Sequence, residues 1–74
     1  MSNNIASERV KMDLSQEELG ERLGVSRDVV RNWEDGTSDI KASKLRALAE
    51  LFNCSVDYLM GRCDDRVSHL RIVG

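Results

Sequence analysis

Only Gly24 and Val25 separate the apolar-periodic segment ending at Leu23 from Ser26, a residue suited to begin a new helix. A connection this short forces two helices to cross steeply, and Gly24 supplies the turn. The upstream segment carries Gly20 on the same stripe as Leu19 and Leu23. Glycine inside a helix costs about 1 kcal/mol relative to alanine, so its place on the packing stripe points to close approach by another backbone. The spacing Gln16, Leu19, Gly20, Leu23, Gly24, Val25, Val30, Trp33 therefore describes two helices packed across a tight turn, one holding the other outward.

The remaining punctuation is helical as well. In Leu14-Ser15-Gln16-Glu17-Glu18-Leu19, Ser15 is placed to cap and Glu18 to reach back, a capping box with Leu14 and Leu19 at the staple positions. The same grammar recurs at Ser26, where Val25 is set to staple to Val30, and at Ser55. With Gly24, Gly36, Asn53 and Gly61 available for left-handed helix ends, the pattern predicts five short helices near residues 4–12, 16–23, 27–34, 43–52 and 56–60. Alternation of period two appears only around Val67 to Ile72, which suits either a short strand or a loose end. Two units are expected: an all-α domain over residues 1–62 and a tail over 63–74, loosely ordered or serving as a dimerisation segment.

Seventy-four residues suffice for one small core and leave no room for a second, catalytic domain. Three aromatic side chains argue against a large aromatic-lined pocket, and no small-molecule ligand is expected. Cys54 and Cys63 lack metal-ligand spacing and His69 stands alone, so no metal, cofactor or catalytic residue is assigned and an enzyme is not expected. The N-terminus lacks a basic-then-apolar signal, and no apolar run approaches the roughly 20 residues that span a bilayer. A cytoplasmic protein without membrane contact is expected. Eleven basic against thirteen acidic residues give a net charge of -2, so any binding to a polyanion must come from a local surface.

That surface is the third helix. At roughly 100° per residue, Arg27, Asp28, Arg31 and Asn32 share one arc while Val29, Val30 and Trp33 share the opposite one. Arginine can fork to guanine, asparagine to adenine, and aspartate can accept from cytosine, so the polar arc has the groups that read base edges in a major groove. Ser26 and Val29 stand at its margin, Val29 suited to a thymine methyl. Taken alone, the same arc is more often an ordinary solvated helix face.

The first helix adds a second constraint. Ile5, Ala6, Val10 and Met12 define its apolar side, yet Arg9 projects between Ile5 and Ala6. A charge there needs a partner, and Glu34, at the edge of the apolar arc of the third helix, is the best-placed candidate for a partly buried ion pair.

The stretch LSQEELGERLGVSRDVVRNWEDG resembles the lambda-repressor-like helix-turn-helix family, also called Cro or XRE, and KLRALAELFNCSVDYLMGR is similar to that family's fourth and fifth helices. The resemblance covers about residues 5 to 62. It implies a five-helix domain with the helix-turn-helix at helices 2 and 3, sequence-specific binding of double-stranded DNA, and a role as a transcriptional regulator, by family habit a repressor, acting on an operator as a homodimer. It implies the same Arg9–Glu34 bridge and phosphate contacts by Gln16 and the Gly36-Thr37-Ser38 loop, with Lys41 and Lys44 near enough to add charge. Three positions depart from the family pattern. Asp39 and Ile40 stand where many members carry a basic residue and a proline, and Glu8 replaces a usually apolar residue, which predicts weaker backbone affinity and a less firmly anchored first helix. A dimer contact is expected from Tyr58 through Val73. The competing expectation keeps the fold without the DNA: an antitoxin-like or adaptor module that docks protein on the third helix, favoured by the acidic balance.

Overall fold

The computed structural model describes residues 3–62. The architecture is five helices: α1 (Ile5–Lys11), α2 (Gln16–Leu23), α3 (Arg27–Asp35), α4 (Ala42–Phe52) and α5 (Val56–Leu59), with no strand among the described residues. The tail over 63–74, with the dimer contact expected of it, lies outside the described residues.

The starts of α2, α3 and α5 follow from their serines. Ser15 Oγ accepts from Glu18 N at 3.0 Å while Glu18 Oε1 accepts from Ser15 N at 2.8 Å, a reciprocal box. Ser26 and Ser55 accept from Val29 N and Tyr58 N at 3.3 and 3.1 Å. Each pairing satisfies a backbone donor that the first helical turn leaves orphaned.

The helix ends share one device. Asp13, Gly24, Gly36, Asn53 and Gly61 all take a positive φ, between 54° and 79°. At each, the N–H of the left-handed residue and that of its successor turn back to carbonyls of the last turn. Gly24 N reaches Glu21 O and Val25 N reaches Gly20 O; Gly36 N reaches Trp33 O and Thr37 N reaches Asn32 O. The pattern is the Schellman motif. Asp13 fills the left-handed position with a short polar side chain, the type that tolerates it best after glycine.

Gly20 meets the close approach expected of it. A Cβ there would lie 2.6 Å from the carbonyl oxygen of Val25 and 3.3 Å from Ser26. The backbone of the α2–α3 turn thus lies directly on α2 at this point, and the Val25 N–H bond to Gly20 O at 2.9 Å closes the contact.

Ile5, Leu19, Val30, Leu48 and Leu59 are wholly buried and one comes from each helix, with Trp33 and Phe52 at 4% exposure beside them. Burying a side chain of this size stabilises by about 1.5–3 kcal/mol relative to leaving it exposed. Truncating one at this centre, Leu48→Ala for instance, leaves a cavity bounded by several helices and costs about 2–5 kcal/mol.

The first helix corrects the sequence expectation. Val10 is 60% exposed and Met12 40%, whereas Glu8, assigned to no apolar face, is 2% exposed. Its carboxylate accepts from Tyr58 Oη at 3.0 Å and from Lys11 Nζ at 3.2 Å. The departure at Glu8 therefore ties α1 to α5 instead of loosening it. Asn4 adds to the seam, its backbone N–H donating to Leu59 O at 2.9 Å and its amide to Tyr58 O at 2.6 Å. Asn3 joins the same end of α1 to α3 by donating to Trp33 O at 2.8 Å.

Candidate nucleic-acid interface

The helix α3 is held from behind. Val30 and Trp33 lie in the core and Val29 packs partly against it, so Arg27, Asp28 and Arg31 are left exposed on the far side. Arg31 Nη2 lies 3.8 Å from Asp28 Oδ1, with both side chains more than half exposed. A surface pair of this length is worth about 0–1 kcal/mol, so either partner exchanges it readily for a better one. Asn32 is half-buried, set back from the three charged residues. Ser26 is exposed, and its Oγ is engaged by the Val29 N–H.

Behind this face sits the ion pair that fixes α3 against α1. Arg9 Nε donates to Glu34 Oε2 at 2.7 Å and Nη2 to Oε1 at 3.4 Å, while Nη1 donates to Leu14 O at 2.8 Å. The side chains are 16% and 7% exposed. One guanidinium thus joins α1, the α1–α2 turn and α3 through charge-assisted bonds.

Two expected phosphate ligands carry internal bonds. Gln16 is half-buried, and its Nε2 donates to Glu34 Oε1 at 2.9 Å, so part of the amide serves the ion pair and is not free at the helix end. An amide nitrogen has two hydrogens, and one remains beside the unpaired N–H groups of the first turn of α2. Lys44 is half-buried as well. Its Nζ donates to Leu23 O at 2.6 Å, where a cation meets the negative end of the α2 dipole. Thr37, Ser38 and Lys41 are exposed in the α3–α4 connection. Asn32 has a role that its side chain did not announce: its carbonyl oxygen accepts from Thr37 N at 3.1 Å and from Thr37 Oγ1 at 3.4 Å, fixing that connection to the end of α3. Gly36 followed by Thr37 was the available signal, because the Schellman end delivers the second N–H to this carbonyl.

No helix among the described residues is long and apolar enough to cross a membrane. A helix-turn-helix family model matches residues 5–59. A Sinorhizobium medicae protein described as an uncharacterized HTH-type transcriptional regulator is 31% identical over 58 residues, covering 78% of this chain and 42% of the relative. Repressor protein C2 of Salmonella phage P22 is 33% identical over 60 residues, covering 81% of this chain and 28% of the relative. The chain thus spans less than half the length of either. A crystal structure of the P22 c2 repressor in complex with a synthetic operator superposes with a TM-score of 0.74 at 32% identity, over 81% of this chain and 91% of that one. A shared model over the five-helix body, a shared backbone and this level of identity converge: the chain belongs to the lambda-repressor-like helix-turn-helix family.

Proposed function

We propose that this chain binds double-stranded DNA sequence-specifically, with α3 in the major groove, and acts as a cytoplasmic, nucleoid-associated transcriptional repressor. One observation carries the proposal: α3 is anchored by Trp33 and Glu34 while Arg27, Asp28 and Arg31 stand exposed on its opposite side. A rigid backing with a solvated polar front is what direct base readout needs. The P22 repressor, similar over most of this chain, was captured with an operator, which supports the same partner here.

In this arrangement Arg27, Asp28 and Arg31 choose sequence, with Asn32, Ser26 and Val29 at the edge of the read surface. Thr37, Ser38, Lys41 and the first turn of α2 with Gln16 set register on phosphate. Half-sites a helical turn apart call for two copies, so the chain binds its operator as a homodimer.

Selection of duplexes from a random pool gives the site, and a panel of single-base changes then tests the division of labour. Arg27→Ala should cost about 1–3 kcal/mol and relax discrimination at one base. Lys41→Ala should weaken every duplex alike and flatten the salt dependence by about 0.9 in the slope of log K against log salt for one phosphate lost. Equal behaviour of the two variants across the panel would overturn the assignment, and salt-independent binding would favour a protein partner instead.

A further inference from the structure

A groove of about 570 Å³ opens between the α3–α4 connection and the end of α5, lined by Trp33, Ile40, Leu45 and Met60 together with Asp39 and Arg62. Ile40, Leu45 and Met60 are half-buried, so each keeps apolar surface open to solvent, and Asp39 is exposed. Arg62, the last described residue, lines this groove. The residues that follow bring apolar Val67, Leu70, Ile72 and Val73, with Arg66 and Arg71 among them.

We propose that the groove is the docking site of the chain's own residues 67–73, folded back in cis. The reach is ample: from Arg62 to Leu70 an extended backbone covers about 26 Å. Asp64 and Asp65 are residues of the type that favour the reversal. In an extended segment Leu70 and Ile72 share one face and Arg71 takes the other, so two apolar side chains enter together while the cation stays in solvent. A short tether holds the segment at about millimolar effective concentration, which a second copy in dilute solution does not match. The groove is also small for a dimer. Nine residues line it, against about 20–30 a side in a standard interface. Gly36 and Ser38 belong to the same lining, so an occupied groove braces the connection that carries Thr37 and Ser38.

Methyl-resolved NMR of the full chain tests this, with Leu70→Ser/Ile72→Ser as the variant. Both changed residues follow the five helices in sequence, and Trp33 fluorescence checks that the variant folds. The expected result is cross-peaks from Met60 and Ile40 methyls to Leu70 and Ile72 methyls, and loss of the corresponding shifts in the variant. A mixed sample of differently labelled chains, recorded with isotope filtering, should show no cross-peaks between copies. Absence of the contacts, or their appearance only between copies, overturns the proposal; the second result assigns the groove to a dimer.

Discussion

Glu34→Ala is the most informative single change in this fold. The carboxylate accepts from Arg9 Nε, from Arg9 Nη2 and from Gln16 Nε2 at 2.7, 3.4 and 2.9 Å, and it is 7% exposed. Without it, Arg9 keeps only the bond to Leu14 O, and the Gln16 amide loses its acceptor. Removing one partner of a buried pair costs about 3–5 kcal/mol. Arg9 retains 16% exposure and so some access to water, which sets the expectation at about 3 kcal/mol, the lower end of that range. At about 0.05–0.15 kcal/mol per residue a 74-residue chain holds about 4–11 kcal/mol in total, so the variant sits near the edge of folding. With a urea dependence of about 1 kcal/mol per molar, the midpoint falls by about 3 M. Trp33 is the only tryptophan and is 4% exposed, so its fluorescence follows the transition. The double replacement Arg9→Met/Glu34→Leu removes both charges at similar volume and should lose clearly less than the two single variants summed, the remaining loss coming from the Leu14 carbonyl and the Gln16 amide. A double variant that loses as much as the two single losses summed would refute the argument, because the penalty would then not come from an abandoned charge.

Three further outcomes follow from the geometry. Gly20→Ala should destabilise by about 1–3 kcal/mol despite its better helix propensity, because its Cβ meets Val25 O at 2.6 Å; Gly24→Ala, with nothing within 4 Å, should show only left-handed strain of about 1–2 kcal/mol, and urea midpoints compare them. Tyr58→Phe removes a donor from buried Glu8 and should cost about 1–3 kcal/mol by thermal melting, with faster amide exchange at Asn4 and Leu59 reporting the loosened seam. The Glu18 carboxyl is held below its ordinary 4.5, first by the Ser15 N–H, then by the Ser15 hydroxyl and nearby Arg22. A depressed folded value means its contribution is complete above the ordinary value and is lost as pH falls through the folded one. Glu18→Gln should therefore be less acid-sensitive than the parent, and equal slopes of urea midpoint against pH below about 4.5 would contradict this.

The elements were legible because their ends are local chemistry. Ser15, Ser26 and Ser55 start helices within three residues of themselves, and Gly24, Gly36 and Asn53 end them within five. Gly20 was legible for a related reason: a costly residue on a packing stripe has few explanations. Periodicity failed on α1, because seven residues make barely two turns and the arc through Val10 and Met12 competes with the one through Ile5 and Glu8. The phenol of Tyr58, fifty residues away, donates to the buried Glu8 carboxylate, and no window along the chain contains that fact. Gln16 and Lys44 carry internal bonds that were equally hidden from the sequence. Their types suit phosphate, and their bonds to Glu34 and to the Leu23 carbonyl depend on residues 18 and 21 positions away.

These displaced residues connect stability with the proposed interface. Gln16 begins α2, Glu34 stands at the back of α3, and their bond links the start of one helix to the back of the other through a single carboxylate. A change at Gln16 therefore acts twice, once on any phosphate contact and once on the support of Glu34. Gln16→Ala is a poor probe of positioning unless stability is measured beside affinity. Lys41, exposed and without a side-chain capping bond, has no such second task. A uniform loss of affinity in Lys41→Ala at unchanged urea midpoint isolates backbone contact, and a shifted midpoint would place Lys41 in the scaffold instead.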